Sequence, residues 1–480
     1  MWIVGVLGVL IGASGCPPSG GGTADGSATD GSPLNSADGG ALAVARDGGI
    51  GETPDAYTGP GSLDDSFGEH GVVLSSVVGC PTSMIVQADD SLLVAIGDGR
   101  VARFTANGSL DSSFGVGGIS VLPDPSPYST RAATNLVVLP DSRIVLAMIA
   151  EPQAGYELVA LVRYLSDGSP DRSLGGRGIA FLSLDSTGPQ QPVALATWSG
   201  PKGLALVIGG MPTQAEGGPG PLVVRTDLDG VPDSTFANGQ GWTAPQLGVD
   251  SWSTTAMGVE PGGGIVLAGY AFMPSQDNDL GIVRINQDGT WDQTFGQTGL
   301  VTLAFDDNAD NRAQSIAMLP DTTFLVAGFS MCVGSFCPPN FAMARYYADG
   351  TLDTSFGQQG MVVVTNGGAQ ALALLADGDI VMAGFALANE IVDLGGGWGS
   401  GSPQVFSLAR LSAAGVLDPN YGMPAPPNPR GVVQTSFGDA FTRASIAAIS
   451  TQSTGALVAT GCVGAYAGGD SYLGLAKYRP

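Results

Sequence analysis

A short motif occurs seven times along the chain, and this repetition constrains the fold more than any other feature. The clearest copy is TLDTSFGQQGMVV, residues 351–363. The other copies begin at Ser62, Ser109, Ser169, Val231, Thr290 and Val416. Most copies lie about 60 residues apart, a period typical of proteins in which each repeat is one supersecondary unit. We therefore expect one continuous repeat domain rather than several unrelated domains.

Each repeat contains four apolar segments of strand length. In the best preserved stretch these are residues 299–305, 314–319, 323–329 and 341–347. They are rich in Val, Ile, Leu and Phe, and turn pairs such as Pro320-Asp321 separate them. None has the period of a helix. Four strands in each of seven repeats predict an all-β fold, a seven-bladed β-propeller of four-stranded antiparallel blades. A β-helix would need shorter rungs, and a sandwich would not repeat its sequence seven times.

The N-terminal segment predicts export from the cytoplasm. Residues 1–15 form an uncharged apolar run that is too short to span a bilayer and ends in small residues before Cys16. This pattern indicates a signal peptide, and it resembles the bacterial lipobox, in which the cysteine becomes lipidated. Plain secretion and a misplaced start are the alternatives. Residues 16–60 then hold the lipidation cysteine and a Gly, Ser, Asp and Pro-rich linker, predicted to be flexible, and residues 61–480 form the predicted propeller.

The two ends of the repeat region are expected to interlock. The segment 71–76 lacks partners in its own repeat, while the last repeat stops after its third strand. If segment 71–76 completes the last blade, the ring has no open edge. An even number of cysteines in an exported chain favours disulfides. The candidates are Cys80 with Cys462, which would join the two ends, and Cys332 with Cys337 within one loop.

The motif sequences resemble the bacterial delta-60 repeat family. The resemblance rests on LDTSFGQQGMV, LLADGDIVMAGF and FAMARYYADGTLD, and it extends over residues 61–480. Individual copies depart from the pattern, since Leu174 and Tyr421 replace the phenylalanine and Ala237 replaces the following glycine. The resemblance implies a propeller-like surface or secreted protein. It implies no reaction and no active site.

Basic residues recur at one position of the third strand. They are Arg103, Arg163, Arg225, Arg284, Arg345, Arg410 and Lys477. The motif acid lies a short turn downstream, as in Asp111, Asp292 and Asp353, so we expect an ion pair in each repeat. A ring of basic groups that binds an anion is the alternative. The motif phenylalanine is expected to fill the space between blades, and the recurring Ala-Gly pair to let sheets approach closely.

Composition excludes several functions. The chain has 43 acidic and 18 basic residues, with a formal charge of -25, which argues against nucleic-acid binding because that needs clustered cations. The only histidine is His70, so neither a His-based metal cluster nor a Cys–His pair is available. We assign no catalytic residue. A glycosidase-like carboxylate pair remains the enzymatic alternative.

Two weak candidate sites lie in loops. The first is a cluster of acids that could hold Ca²⁺, although Asp and Asn are also common turn formers. Its members are Asp277, Asp279, Asp306, Asp307 and Asp310. The second is the face with loops of variable length, where tryptophans could contact a partner. They are Trp242, Trp252 and Trp398.

These features favour a binding or scaffolding module of the bacterial cell envelope. We expect a monomer that binds a surface protein or glycan and no nucleic acid. It would either be held at the outer membrane or surface by its lipid anchor alone, or be secreted. The alternatives are a propeller hydrolase or lyase acting on extracellular polysaccharide, and a structural spacer without a specific ligand. The sequence predicts no certain cofactor, with Ca²⁺ as the single candidate.

Overall fold

The computed structural model describes most of the repeat region. The described residues are 10–11, 58–152, 157–182, 184, 190–212, 220–272, 278–306, 309–332, 339–388, 392–393, 400–401, 403–422, 430–438, 441, 443–464 and 470–480. Within them the chain is all β apart from two 3₁₀ turns, Ala237–Gly239 and Phe295–Gln297.

The described strands are numbered in chain order. Up to residue 303 they are β1 (Leu10–Ile11), β2 (Val72–Val78), β3 (Pro81–Val86), β4 (Leu92–Ile96), β5 (Val101–Phe104), β6 (Ser129–Arg131), β7 (Leu136–Val138), β8 (Ile144–Glu151), β9 (Leu158–Tyr164), β10 (Ile179–Leu182), β11 (Gln190–Gly200), β12 (Gly203–Pro212), β13 (Leu222–Thr226), β14 (Trp242–Thr243), β15 (Ser251–Val259), β16 (Ile265–Phe272), β17 (Asn278–Ile285) and β18 (Leu300–Leu303). Beyond it they are β19 (Ala309–Met318), β20 (Phe324–Cys332), β21 (Asn340–Tyr346), β22 (Met361–Val364), β23 (Gly368–Leu374), β24 (Ile380–Leu387), β25 (Val392–Asp393), β26 (Ser400–Gly401), β27 (Gln404–Leu411), β28 (Val432–Thr435), β29 (Arg443–Thr451), β30 (Leu457–Gly464) and β31 (Tyr472–Tyr478).

The structure is an all-β propeller, but the prediction of seven four-stranded blades is wrong. The described strands form five sheets of four or more strands, one three-stranded sheet and the isolated pair β25–β26. The three-stranded sheet is β3-β4-β5, because the segment that should add a fourth strand makes only an isolated bridge between Ala102 and Ile119. The last two repeats are merged in one eight-stranded sheet through a parallel pairing of Gln404 with Arg443.

The two ends of the repeat region are joined. Strand β2 pairs antiparallel with β31, with Val73 opposite Leu475. Lys477 Nζ lies 3.1 Å from Asp64 Oδ2, and a disulfide links Cys80 with Cys462, whose Cα atoms are 4.6 Å apart. Strand β1 pairs antiparallel with β19 and so lies at the edge of the sheet β19-β20-β21-β22.

The second strand of the repeats is buried on both faces. All five residues of β4 are buried, as are the first seven of the eight in β8. A strand covered on both faces by neighbouring sheets reads as a continuous apolar run rather than an alternating one. This burial explains the runs of Val, Leu, Ile and Ala, and it places the hydrophobic core between successive sheets.

The glycine of the recurring Ala-Gly pair accommodates a β-bulge in the first strand. The register of β15 against β16 shifts between Thr254 and Ala256. A Cβ atom on Gly269 would lie 1.8 Å from the carbonyl oxygen of Ser253. The same arrangement recurs at Gly328, against the carbonyl of Arg312. The glycine is therefore required by the bulge within one sheet, whereas the sequence suggested close approach of different sheets.

The motif aromatic residue packs on the next repeat. Phe356 is fully buried, and a Cβ atom on Gly415 of the following repeat would lie 2.9 Å from its ring. Gly415 has a φ of +80°, so it also needs the freedom of glycine in its turn. The backbone N–H of Gly357 donates to the carbonyl of Ala414, 2.8 Å away. Equivalent contacts join Phe67 to Gly108, Phe114 to Gly168 and Phe295 to Gly350.

Replacing one motif aromatic should weaken the whole ring. We expect Phe356→Ala to lower the free energy of unfolding by about 3–5 kcal/mol, because a large buried side chain is lost and a cavity remains. Urea unfolding followed by circular dichroism measures this change. Val363→Ala is the matched control, since Val363 is 48% exposed and should change stability by about 0.5 kcal/mol or less. Equal effects of the two substitutions would contradict the assignment.

Candidate functional site

The recurring basic residues connect successive repeats. Arg345 Nε lies 2.7 Å from Asp353 Oδ2, and Arg345 Nη1 donates to the carbonyl of Ala413 in the next repeat, 3.0 Å away. The guanidinium also lies 4.7 Å from the centroid of Phe356. Arg103 with Asp111, Arg163 with Asp171 and Arg225 with Asp233 pair at 2.6 to 2.8 Å. Since these guanidinium groups are bound within the protein, the geometry is that of structural ion pairs rather than a free anion-binding ring.

Two repeats depart from this geometry. Arg410 Nε lies 3.0 Å from Asp379 and 3.7 Å from the motif acid Asp418. Arg284 Nε lies 3.6 Å from its motif acid, Asp292, and 3.8 Å from Glu260. The Arg284 contacts exceed the length of a hydrogen bond. The repeat that contains Arg284 therefore differs locally from its neighbours.

One first hairpin near Arg284, β11–β12, is longer than that of the Arg284 repeat itself. In β15–β16 the last strand pair is Val259 with Ile265, and the recurring turn 260–264 lies between them. Most other first hairpins close with the same five-residue spacing, for example Met318 with Phe324. In β11–β12 the pairing continues to Gly200 opposite Gly203, so the hairpin is longer and ends in Pro201-Lys202.

The longer hairpin forms one wall of a cleft. The cleft has a volume of about 840 Å³ and lies between the tip of β11–β12 and the turn 260–264. The turn 227–231 and residues 286–288 complete its lining. These segments connect first with second strands and third with fourth strands, so the cleft is on the face of the Asp-Gly turns. The loops of variable length lie on the opposite face.

The cleft wall is rigid because its side chains are stacked. Arg225 Cζ lies 4.9 Å from the ring centroid of Trp198 and 4.5 Å from that of Phe236. Arg225 and Trp198 are buried, at 3% and 8% exposure. Arg225 donates to the carbonyl of Gln287 at 2.6 Å. A guanidinium between two aromatic rings is held in place by cation–π attraction and its hydrogen bonds.

Glu260 is the unusual acid of the cleft. Its backbone N–H donates to the carbonyl of Gly264, the same turn bond that Leu139, Leu319 and Leu375 make in other repeats. Where those repeats have leucine, this one has a carboxylate that is 18% exposed. Among the described residues, Glu260 Oε1 and Arg284 Nε are buried without a hydrogen-bond partner. Burial raises the pKa of Glu260; Asp292 adds to the increase, and the charge of Arg284 opposes it.

The pKa of Asp233, another acid in the lining of the cleft, is shifted in the opposite direction from that of Glu260. Burial disfavours its ionisation, but hydrogen bonds from the side chain and backbone of Thr235 and the charge of Arg225 outweigh burial and lower its pKa to about 2. Lys202 Nζ lies 3.5 Å from Asp233 Oδ1, and the lysine side chain is 63% exposed. Lys202 is therefore an exposed cation at the rim, next to a carboxylate that stays ionised.

The structure describes only part of the predicted Ca²⁺ site. Asp277 and Asp307 lie outside the described residues, and Asp310 is paired with Arg312 at 2.6 Å. Asp279 lies in β17 and Asp306 follows β18. In the part of the chain that the structure describes, no group of three or more His, Cys, Asp or Glu residues could hold a metal ion.

The remaining predicted residues are dispersed. Trp252 is partly buried, and its Nε1 donates to Thr254 Oγ1 at 2.8 Å. Trp242 packs at the edge of the cluster around Leu206. Trp398, Cys16 and Cys337 lie outside the described residues, and of Cys332 only the backbone position at the end of β20 is described. Sequence reasoning missed the cleft, although the acid Glu260, at a position where other repeats have leucine or glutamine, was a visible signal.

The fold and the comparisons define an all-β propeller. Four segments match the family model described as "Domain of unknown function (DUF5122) beta-propeller", and each ends at a motif aromatic residue. They are residues 87–114, 206–236, 262–295 and 333–356. These segments cover less than half of the chain. A search of curated proteins returned no significant match.

Solved structures resemble the chain only distantly. A protein of unknown function from Dyadobacter fermentans is 12% identical, with a TM-score of 0.42, and the match covers 75% of this chain and 98% of that one. YCF48 from Cyanidioschyzon merolae is 12% identical, with a TM-score of 0.39 and coverages of 84% and 96%. The α-L-arabinofuranosidase Arb93A from Fusarium graminearum is 11% identical, with a TM-score of 0.39 and coverages of 75% and 97%. At these scores none supports an activity for this chain.

The described residues include no helix that is long and apolar enough to cross a membrane.

Removing the Glu260 charge should stabilise the protein at neutral pH. Because its pKa is raised in the folded state, the folded chain holds this proton more tightly than the unfolded chain. Glu260 therefore costs no stability below the ordinary glutamate pKa and becomes destabilising as the pH rises through the raised value. We expect Glu260→Gln to have a higher Tm than the wild type at pH 7, with the difference vanishing near pH 4.

Thermal unfolding at a series of pH values measures this difference. Glu69→Gln is the control, because Glu69 is exposed and a substitution at an exposed position should change stability by about 0.5 kcal/mol or less. A Glu260→Gln protein that is less stable than the wild type at pH 7 would contradict the burial argument.

Proposed function

We propose that this chain is a non-catalytic binding module outside the cytoplasm, which holds a surface glycan or protein in the cleft between the β11–β12 hairpin and the turn 260–264. The disulfide between Cys80 and Cys462 indicates an extracytoplasmic environment. The resemblance of the motif to the delta-60 repeat supports the same location. The cleft supports binding, since concave sites with a few convergent polar groups are the usual ligand sites of proteins.

The observation that carries the proposal is the combined departure of one region from the repeat. The β11–β12 hairpin is extended, and Glu260 is an acid at a turn position that is leucine in three other repeats and glutamine, as Gln87 and Gln452, in two. The Glu260 side chain is partly buried, and its Oε1 atom is enclosed without a hydrogen-bond partner among the described residues, which costs stability. Residues that lower stability yet create a polar recess are characteristic of functional sites.

A hydrolase acting on polysaccharide is the second candidate. Its support is the opposite pKa shifts of Glu260 and Asp233 within one cleft. A carboxyl with a raised pKa suits a general acid, and a carboxylate that stays ionised suits a base or nucleophile. Asp233 is already bonded to Arg225 and Thr235, however. Because its oxygens are engaged, we favour binding over catalysis.

Binding and turnover can be separated in one experiment. The protein would be incubated with purified polysaccharides and envelope proteins, with pull-down measuring binding and released reducing ends measuring cleavage. We expect binding without cleavage, because Asp233 is engaged. Release of reducing ends that Glu260→Gln abolishes would establish the hydrolase instead. Neither binding nor cleavage of any component would contradict both functions.

We further propose that lipidated Cys16 anchors the protein to the envelope. The lipobox-like sequence before Cys16 supports this anchor. We expect Cys16→Ala to move the protein from the membrane fraction to the soluble fraction, since it lacks the acylation site. Fractionation with immunoblotting checks this outcome, and Cys332→Ala, with its cysteine far from the lipobox, is the control. A wild-type protein found entirely in the soluble fraction would contradict the anchor.

A further inference from the structure

The cleft combines charges of both signs in nearly equal number. Its lining includes three cationic side chains and four acidic ones. The cations are Lys202, Arg225 and Arg284, and the acids are Asp227, Asp233, Glu260 and Asp288. An anionic ligand would meet the four acids, and a strongly cationic ligand would meet the three bases. Neither sign of ligand charge is favoured by the lining as a whole.

Much of this charge is already neutralised within the protein. Arg225 donates three hydrogen bonds, from Nε to Asp233 Oδ2, from Nη1 to the carbonyl of Gln287 and from Nη2 to Thr235 Oγ1. The carboxylate of Asp233 in turn accepts from Thr235 through Oδ1. These two groups therefore form the wall of the cleft and have little capacity left for a charged ligand.

The groups that remain for a ligand are mixed donors and acceptors. Lys202 is 63% exposed and supplies N–H donors at the rim. Asp227 accepts the N–H of Val231 through Oδ1, at 2.8 Å, and Asp288 accepts that of Thr290 through Oδ1, at 2.9 Å. In the described hydrogen bonds only Oδ1 of these two acids is used, which leaves each Oδ2 as an acceptor. A hydroxyl group both donates and accepts, so a polyol satisfies both kinds of group.

The space between these polar groups is apolar. Val231 is 59% exposed at the cleft, and Pro201 and Leu204 line the hairpin wall. A Cβ atom at Gly203 or Gly262 would meet nothing within 4 Å, so the cleft is open beside both positions. Such a surface suits the C–H faces of sugar rings, whose hydroxyls lie around an apolar plane.

We infer that the cleft takes a neutral, hydroxyl-rich ligand, namely a segment of an uncharged polysaccharide. This inference rests on the proposed binding function and specifies its ligand class. The acids Asp227 and Asp288 accept hydroxyl protons, Lys202 donates to hydroxyl oxygens, and Val231 with Pro201 contacts the ring carbons.

The structure supplies a substitution that fills the cleft without straining the fold. Gly262 lines the cleft, its Cβ direction is open, and it does not have a positive φ. Gly262→Trp therefore places a large side chain in the cleft. Val416→Trp is the control: Val416 is 63% exposed and follows Gly415 as Val231 follows Gly230, but it lies outside the cleft lining.

The test compares the wild type and both variants for binding to four immobilised polysaccharides. Dextran and galactomannan are neutral, polygalacturonate is anionic and chitosan is cationic, so the neutral class is represented twice within the panel. We expect the wild type to bind a neutral polymer, with Gly262→Trp weakening binding at least tenfold and Val416→Trp leaving it unchanged. Because a neutral ligand has no ionic attraction, raising NaCl to about 0.5 M should leave the affinity unchanged.

The outcomes separate the ligand class from the binding function. Preferential binding of polygalacturonate or chitosan that Gly262→Trp abolishes would retain the cleft as a binding site and overturn the neutral class. Neutral binding that Gly262→Trp does not affect would overturn the cleft assignment. Absence of binding to every polymer would overturn the inference, while capture of an envelope protein by the same chain would preserve the wider binding function. Circular dichroism confirms that both tryptophan variants are folded.

Discussion

The structure depends on one contact that is repeated between successive units. The motif aromatic of one repeat packs on the turn glycine of the next, as Phe356 does on Gly415. Arg345 covers that ring and donates to the carbonyl of Ala413, so the apolar contact and the charge-assisted bonds cross the same boundary. A single repeat unit cannot bury its hydrophobic face alone, and these boundaries provide the burial that single units lack.

The interaction also explains why seven of the chain's 18 basic residues occupy the same position of the repeat. A buried charge is tolerated only when it is paired and hydrogen-bonded. Arg163 is fully buried, and it has partners in its own repeat, Asp171 and Ser173, and in the next, Asp229. The guanidinium suits this position because its planar set of N–H groups reaches several acceptors at once.

The cleft arises where the repeat pattern is broken while the boundary contacts are retained. Arg225 keeps its motif pairing with Asp233, and Phe236 keeps its place beside it. The changes are confined to the turns on one face. They are the added length of the β11–β12 hairpin and the acid Glu260, at a position where other repeats have leucine or glutamine. The framework therefore supplies rigidity, and the altered turns supply the polar recess. The boundary contacts in the rest of the ring offset the stability that these turns cost the fold.

The sequence by itself determined the repeat, the all-β class, the aromatic contacts and the disulfide chemistry, because strand period, turn residues and recurring pairs are local properties. It also predicted that the two chain ends meet, since residues 71–76 lacked a partner in their own repeat, and β2 does pair with β31. It could not determine how many separate sheets form, because the bridge from Gln404 to Arg443 depends on the distance between the third strand of one repeat and the first strand of the next. Nor could it place the cleft on the Asp-Gly face, since Lys202, Asp233 and Glu260 come from different hairpins and meet only when neighbouring sheets pack. Tertiary structure decided these features because each depends on the relative position of segments far apart in the chain.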